Sequence, residues 1–335
     1  MIDKTVNAAA DEQSPQHWSN LREAGTARGM LFLVWINKTF GREIFSIVLY
    51  PVTAYFFVFK PVARRASLEF LKTHAQVYPD YWAHKPGYRD VLLHFYAFGQ
   101  SVLDKTLAWG SPIDEKEFES AHEEKLAELL QREEGRLIIG SHLGNLEYCR
   151  GFVQRYKQRT INALVYDQHS ANFVNVMQRL YPASRINIFQ VDALDVAMIL
   201  RLRARIEAGE WIFIAGDRVP VTGGVRTVTV TFMQREAQLP IGPYVLAKVL
   251  QCNVELMFSY RKAKKVYFSF VHFSDCVSIP RQNSQALFQA YAQQYASALE
   301  EETAKAPLQW FNFYPFWEDA KSTGLAPQPQ EKNYD

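Results

Sequence analysis

Two parts of this chain carry different patterns of hydrophobic and polar positions. Near the N-terminus, two uncharged apolar runs occupy residues 30–36 and 44–59. From residue 136 onward, short apolar runs of strand length alternate with longer segments whose apolar positions recur at helical spacing. Such alternation predicts an α/β fold, with a mixed sheet flanked by helices. The N-terminal runs require a separate interpretation.

The second apolar run is followed directly by the cations Lys60, Arg64 and Arg65. As a helix it would be roughly 24 Å long, shorter than the hydrocarbon core of roughly 30 Å, and Pro51 is expected to kink it. Three interpretations stay open, namely a buried core helix, a single marginal span and a re-entrant hairpin. The flanking cations and the aromatic content favour membrane attachment.

The remaining elements follow from periodicity and from start and stop signals. Predicted helices cover residues 62–76, 90–109, 115–132, 171–180, 192–208, 242–250 and 284–303. Predicted strands cover residues 137–139, 161–166, 185–189, 211–215, 225–232, 254–260 and 266–273, the last two forming a hairpin. Asp192 is the expected cap of the fifth helix and Gly209 its stop. His94 lies in a helical pattern and is expected to be packed.

The predicted organisation has four parts. Residues 1–29 form a flexible leader, residues 30–76 a membrane-associating helical region, residues 77–321 the α/β domain and residues 322–335 a loose tail. The leader is polar and acidic, unlike a cleavable signal peptide.

Composition excludes several classes of protein. Hydrophobic residues make up 48% of the chain and aromatic residues 14%, which excludes global disorder. The net charge of +2 argues against a dedicated nucleic-acid binder. The three cysteines, Cys149, Cys252 and Cys276, are widely spaced and form no C-x-x-C pair, so we expect neither a metal site nor a disulfide framework.

The stretch Gly-Ser-His-Leu-Gly-Asn-Leu-Glu at residues 140–147 carries the candidate chemistry. It places His142 at the end of a strand and Glu147 in the first turn of a helix that Asn145 would cap. A carboxylate could then hold one imidazole nitrogen while the other takes a proton from a hydroxyl or amine. The alternative is an ordinary histidine beside a Gly-Asn turn, which is the commoner case for a single histidine.

A second candidate group ends the predicted strand at residues 211–215. Ligands of such sheets gather at the carboxyl ends of strands, so Asp217 could face the same cleft as His142. Gly216 would allow close approach of a ligand to the backbone, and Arg218 could bind a phosphate or carboxylate. A turn with a surface ion pair is the alternative for these three residues.

Four blocks in order resemble one known family. These blocks are Ser-His-Leu-Gly-Asn-Leu-Glu at 141–147, Phe-Ile-Ala-Gly-Asp-Arg at 213–218, Val-Thr-Phe-Met at 230–233 with Leu-Pro-Ile-Gly-Pro at 239–243, and Pro-Leu-Gln-Trp-Phe at 307–311. Together they resemble the lysophospholipid acyltransferase superfamily and, within it, the late acyltransferases of lipid A biosynthesis. Leu146 stands where that branch often has tryptophan, and aromatic residues replace the arginine pair that usually follows Trp310.

The resemblance implies a glycerol-phosphate-acyltransferase-like fold with an N-terminal hydrophobic helical membrane anchor. It implies transfer of a fatty acyl group from an acyl-carrier-protein or CoA thioester, as co-substrate and with no other cofactor, to a hydroxyl or amine of a lipid or glycolipid. The expected partners are the carrier protein or CoA, the lipid acceptor and the membrane, without nucleic acid. The expected location is the bacterial inner membrane, with the catalytic domain on the cytoplasmic side.

Each candidate residue receives an expected role in that reaction. His142 is the base and Glu147 orients it, without a covalent acyl-enzyme, since the sequence lacks G-x-S-x-G and Ser141 should point away. The expected substrate contacts are oxyanion donors near Gly144 and Asn145, acceptor positioning by Asp217 and Arg218, and headgroup contacts by Arg179 and Arg185. Two alternatives compete, a lipid hydrolase that uses the same pair on water and a lipid-binding membrane protein with a degenerate site.

Overall fold

The computed structural model describes residues 27–110, 118–120, 128–129, 131–145, 147–148, 160–165, 186–190, 195–219, 225–263 and 265–317. The helices are α1 (Ala27–Phe59), α2 (Pro61–Val77), α3 (Tyr88–Gly110), α4 (Val196–Glu207), α5 (Gly242–Leu250) and α6 (Ser284–Lys305). The strands are β1 (Phe118–Ser120), β2 (Arg136–Gly140), β3 (Ile161–Val165), β4 (Ile186–Gln190), β5 (Trp211–Ala215), β6 (Thr227–Phe232), β7 (Arg235–Pro240), β8 (Asn253–Lys262) and β9 (Lys265–Ser274).

Seven of these strands form one mixed sheet in the order β1-β9-β8-β2-β5-β3-β4. Strands β8, β2, β5, β3 and β4 run parallel to one another, while β9 is antiparallel to β8 and carries β1 at the edge. Strands β6 and β7 form a separate antiparallel hairpin. The α/β fold with a mixed sheet is therefore confirmed.

The central strand β2 is buried along its whole length because both faces of the sheet are covered. Its side chains alternate between two apolar clusters, as the pleat of a strand requires. Leu137 and Ile139 pack in the cluster that includes Tyr295 of α6, whereas Ile138 packs in the opposite cluster with Trp211. Because β2 is packed on both faces, the loop that follows it starts from a rigid position.

Helix α1 packs on α3 along one side only. Ile36, Phe45, Leu49 and Leu103 form the small buried cluster between the two helices. The large apolar side chains exposed along α1 are Phe32, Trp35, Phe40, Ile44, Ile47, Tyr50, Tyr55, Val58 and Phe59. In the window Trp35–Phe59, which has a mean hydropathy of 1.4, only 17% of positions are buried. This helix is a candidate membrane anchor by length and composition, and its exposure disagrees with a buried core helix.

The N-terminal helix is longer than either apolar run and is broken at Gly41, where φ is 82° and ψ is 172°. Pro51 lies inside the helix without leaving helical dihedral angles. The backbone break therefore falls at the glycine, in the polar segment between the two runs, and not at the proline where we expected a kink. Glycine adopts a positive φ without the Cβ clash that other residues meet.

Most predicted elements are confirmed, and three corrections have local causes. The predicted helix at residues 115–132 contains the strand β1. The cap of α4 is Asp195, whose carboxylate accepts from the amide of Met198, and not Asp192. Strand β7 was not predicted, because its turn uses Met233 and Gln234 at positive φ where such hairpins usually carry Gly or Asn. The predicted helix at 171–180 and residues 1–26 and 318–335 lie outside the described residues.

Replacing Gly209 by alanine is expected to destabilise the fold. Gly209 follows α4 with φ at 77°, and an added Cβ would lie 2.6 Å from the carbonyl oxygen of Glu133. The left-handed backbone alone costs a non-glycine residue about 1–2 kcal/mol. Gly87→Ala is the matched control, since a Cβ there meets nothing within 4 Å. Chemical denaturation should show the loss for Gly209→Ala only, and equal stability of the two variants would contradict the assignment.

Candidate active site

The register of two central strands brings together residues that are far apart in sequence. In the parallel pair β2 and β5, Gly140 lies opposite Ala215, and the amide of Gly216 extends the ladder by donating to the carbonyl of Gly140 at 3.0 Å. His142 and Asp217 each follow two residues later, at the same carboxyl edge of the sheet. The predicted convergence of these two residues is confirmed.

The two side chains form a direct hydrogen-bonded pair. Nδ1 of His142 lies 2.7 Å from one carboxylate oxygen of Asp217, and the backbone amide of His142 donates to the other oxygen at 2.8 Å. That second oxygen also accepts from the indole nitrogen of Trp310 at 3.1 Å. The carboxylate is fully buried, whereas the imidazole keeps 35% of its surface exposed. Asp217 is thus fixed from behind and His142 faces outward.

The carboxyl group of Asp217 is ionised at neutral pH. Burial alone would raise its pKa, but the charge and hydrogen bonds of His142 and the nearby Arg218 outweigh burial and lower the pKa from 3.8 to about 2. An ionised carboxylate only accepts hydrogen bonds, so Nδ1 of His142 must carry the proton. The lone pair of the neutral imidazole then resides on the opposite nitrogen, Nε2.

The imidazole of His142 is itself kept neutral. Burial lowers its pKa below the ordinary 6.5, and the positive charges of Arg218 and Lys105 act in the same direction, while Asp217 opposes them. At pH 7 the ring is therefore mostly unprotonated and its Nε2 can accept a proton. This protonation state is the one that a general base requires.

We call residues 141–144 the histidine loop, and a segment near the end of the chain lies directly against it. Leu143 and Trp310 form an isolated antiparallel bridge. The amide of Gly144 donates to the carbonyl of Gln309 at 2.7 Å, and the amide of Phe311 donates to the carbonyl of His142 at 3.0 Å. We call residues 309–312 the closing segment. It holds the histidine loop from the side opposite the strands.

The closing segment is anchored in turn by buried polar contacts. His94 contacts the hydroxyl of Ser67 through Nδ1 at 2.9 Å, and its Nε2 donates to the carbonyl of Trp310 at 3.0 Å. Burial lowers the pKa of His94 to about 3, so the ring is neutral in this role. Arg218 donates to the carbonyl of Phe311 at 2.6 Å. The expectation that His94 is a packed residue is confirmed.

Glu147 occupies a different position from the one its spacing suggested. The side-chain oxygen of Asn145 accepts from the amide of Glu147 at 3.0 Å, as expected of a helix cap. The carboxylate of Glu147 lies 4.0 Å from the ammonium of Lys105 on α3. The carboxylate on Nδ1 of His142 is Asp217, where the sequence had predicted Glu147. A catalytic role for Glu147 stays a prediction.

Two glycines serve packing and not ligand approach. Gly144 has φ at 62°, and a Cβ there would lie 1.8 Å from the carbonyl oxygen of Ser259. Its amide is occupied by Gln309, so it does not provide the expected oxyanion donor. A Cβ on Gly216 would lie 2.9 Å from Ile139 and 3.1 Å from Tyr295, so this glycine permits close packing of the sheet on α6.

The other predicted site residues divide into those near His142 and those that the structure does not describe. Asn145 is buried beside the histidine loop, and its side-chain nitrogen makes no hydrogen bond within the described part of the chain. Arg179 and Arg185 lie outside the described residues. Sequence reasoning missed Lys105, because nothing in a helical pattern marks one lysine among many. In the described ranges, no group of three His, Cys, Asp or Glu side chains could hold a metal ion.

Comparison with known proteins adds one match to this geometry. The model of a family described as bacterial lipid A biosynthesis acyltransferase matches residues 108–319, which is more than half of the chain. The match spans the histidine loop, the Asp217 loop and the closing segment. No curated protein matches the chain.

We expect NMR of imidazole-labelled protein to report His142 as the Nδ1-protonated tautomer, titrating below pH 6.5. The folded state resists protonation of this ring, so its contribution to stability falls as the pH drops below 6.5. Asp217→Asn should remove the tautomer preference, since an amide can donate or accept. Asp275→Asn, at an exposed aspartate 3.5 Å from His272, is the control. An unchanged His142 tautomer in Asp217→Asn would contradict the assignment.

Proposed function

The chain belongs to the bacterial lipid A biosynthesis acyltransferase family and is a lipid acyltransferase, and we propose that His142 is its general base. In this proposal the acyl group moves directly from a thioester to a hydroxyl or amine of the acceptor lipid. The observation that carries the proposal is the 2.7 Å contact between Nδ1 of His142 and the buried Asp217. This contact leaves Nε2 as the basic atom.

The proposed reaction needs no group beyond the two substrates and the protein. Nε2 of His142 takes the proton from the acceptor O–H or N–H as the acceptor atom attacks the thioester carbonyl. The tetrahedral intermediate then collapses, the carbon–sulfur bond breaks, and the leaving thiolate takes the proton from Nε2, which restores the neutral imidazole. Asp217 stabilises the transient imidazolium and keeps the ring in one orientation. No cofactor is proposed besides the acyl-carrier-protein or CoA portion of the donor.

Direct transfer is supported by the environment of Ser141. This hydroxyl is adjacent to the base in sequence, but it is buried, and its oxygen accepts from the amide of Leu143 at 3.1 Å. A nucleophile must instead present its oxygen to both the base and the substrate. We therefore propose that no acyl-enzyme forms.

The developing oxyanion requires a donor near the histidine loop. We assign this role to the side-chain nitrogen of Asn145, which is buried and makes no hydrogen bond within the described residues. Buried donors normally find a partner, and the oxyanion would supply one. Glu147 and Lys105 would tune the charge at this side of the site.

Substrate binding is proposed from charge and exposure. The acceptor would enter from the bilayer to which the exposed apolar side of α1 binds, with Arg218 contacting its polar part. Arg179 and Arg185 stay candidates for headgroup contact. The enzyme family is membrane-associated, and we place this chain at the bacterial inner membrane with its catalytic domain in the cytoplasm. Acyl-carrier-protein and CoA thioesters are both proposed donors.

The proposal predicts a graded loss of acyl transfer in three variants. His142→Ala should lower kcat by about 100- to 10,000-fold, the range typical of general-base catalysis. Asp217→Asn should approach that loss because the ring loses its tautomer, and Glu147→Gln should lose less because Glu147 does not contact Nδ1. The measurement is transfer from a labelled thioester to total lipid extract in detergent micelles.

Asp275→Asn serves as the carboxylate-to-amide control, since Asp275 contacts His272 on the exposed surface. Each variant is checked for unchanged circular dichroism and melting temperature. Near-wild-type transfer by folded His142→Ala would refute the mechanism. A loss in Glu147→Gln greater than in Asp217→Asn would return the orienting role to Glu147.

Direct transfer also predicts the absence of a covalent intermediate. Protein quenched in acid after mixing with thioester alone should keep its unmodified mass in intact mass spectrometry. His142→Ala provides the comparison, because it should likewise stay unmodified. A mass increase of one acyl group in wild-type protein only would contradict direct transfer and indicate a nucleophilic side chain.

A further inference from the structure

One face of α3 contacts the loop that follows His142. Ser101, Asp104 and Lys105 are spaced i, i+3 and i+4, so they lie together on this face. Ser101 donates to the carbonyl of Gly144 at 3.4 Å, and Lys105 lies 4.0 Å from Glu147. Asp104 interacts with Tyr148. Two adjacent residues of α3, Asp104 and Lys105, therefore meet two adjacent residues just after the loop, Tyr148 and Glu147.

Burial and the Asp104 carboxylate together raise the pKa of the Tyr148 hydroxyl far above its ordinary value. The same hydroxyl accepts from the guanidinium of Arg261 at 3.2 Å. Asp104, Arg261 and Tyr148 therefore form one polar group between α3, β8 and the helical turn that follows the histidine loop. This polar group is adjacent to the Lys105–Glu147 contact, because Asp104 precedes Lys105 and Tyr148 follows Glu147.

Asp104 accepts hydrogen bonds from two arginines on different elements. Arg42 of α1 donates to both of its oxygens, at 2.6 and 3.1 Å, and Arg261 of β8 donates to the second oxygen at 3.1 Å. The carboxylate is almost fully buried, with 6% of the side chain exposed. A buried carboxylate between two guanidinium groups has little freedom to move.

Arg261 is also hydrogen-bonded to the closing segment through its backbone. Its amide donates to the side-chain oxygen of Gln309 at 2.7 Å, and its carbonyl accepts from the side-chain nitrogen of Gln309 at 2.6 Å. The carbonyl of Gln309 accepts from the amide of Gly144. Any displacement of Arg261 would thus move both Tyr148, which it contacts directly, and Gly144, which it reaches through Gln309.

We propose that Asp104 is a positioning residue of the acyl-transfer site, holding α3 so that Lys105 is fixed against Glu147 beside His142. Through Arg42, the apolar helix α1 becomes part of this arrangement and not only an anchor. The kinetic consequence rests on the proposed function, whereas the placement of Lys105 near His142 can be tested without turnover.

The test uses the pKa of the His142 imidazole, followed by NMR. The charged groups facing this ring are Asp217 and Arg218 from the β5 loop and Lys105 from α3. Lys105→Met removes a positive charge and should raise the pKa of His142. Asp104→Asn should also raise it if Lys105 is released, although removal of the Asp104 charge by itself would lower it. A positioning role of Asp104 therefore predicts a rise in the pKa of His142, whereas a purely electrostatic effect of its charge predicts a fall.

Arg42→Lys keeps the positive charge but loses the two-point contact with Asp104, so it should raise the pKa of His142 as Asp104→Asn does. The pKa of His142 in the double variant Asp104→Asn/Lys105→Met should be no higher than in Lys105→Met alone. In acyl transfer, Asp104→Asn should lower kcat by up to about 100-fold with KM within about twofold. Arg203→Lys, at an arginine in an exposed i,i+4 ion pair with Glu207, is the matched control. It should change neither the pKa nor kcat.

A fall or no change of the His142 pKa in folded Asp104→Asn would overturn the proposal. If that variant does not fold, Arg42→Lys gives the same test, because it keeps the positive charge, loses the two-point contact with Asp104 and leaves Arg261 on Asp104. If wild-type protein transfers no acyl group at all, the proposed function fails, but the NMR shifts still decide whether Asp104 positions Lys105.

Discussion

The site depends on the buried contact between His142 and Asp217, and this contact depends on the register of β2 against β5. A shift of one residue in either strand would direct one of the two side chains to the opposite face of the sheet. The register is fixed by apolar side chains packed on both faces of β2, including Tyr295, whose hydroxyl also donates to the carbonyl of Gly140 at 2.7 Å. Core packing therefore decides which nitrogen of the imidazole is basic.

The histidine loop is supported on three sides, and the strands provide only one of these supports. The closing segment supplies the second side by pairing Leu143 with Trp310, and α3 supplies the third through Ser101 and Lys105. These supports come from positions far before and far after the loop in sequence. The geometry of the His142–Asp217 pair is thus a property of the whole domain, and residues that do not contact this pair can change it.

The sequence was sufficient for the fold class and for the convergence of His142 and Asp217, because hydrophobic periodicity and strand ends are local signals. It was insufficient for the partner of the imidazole. Spacing favoured Glu147, which is close in the chain, but only the strand register shows that Asp217 is closer in space. Strand β7 was not predicted because the turn before it has Met233 and Gln234 at positive φ, a conformation that glycine usually adopts. Lys105 was not predicted because its contact with Glu147 depends on how α3 packs.

The two carboxylates near His142 have environments suited to different tasks. Asp217 is fully buried, accepts three hydrogen bonds and has its pKa lowered to about 2, so it keeps a permanent negative charge behind the ring. Glu147 is also largely buried, with 10% of its side chain exposed, but its carboxylate lies 4.0 Å from the ammonium of Lys105. Hydrogen bonds between ionised groups are strong, so the carboxylate bonded to Nδ1 stabilises an imidazolium directly. In the proposed reaction, His142 and Asp217 are the pair that moves the proton, while Glu147 belongs to the side of the site that α3 and α1 support.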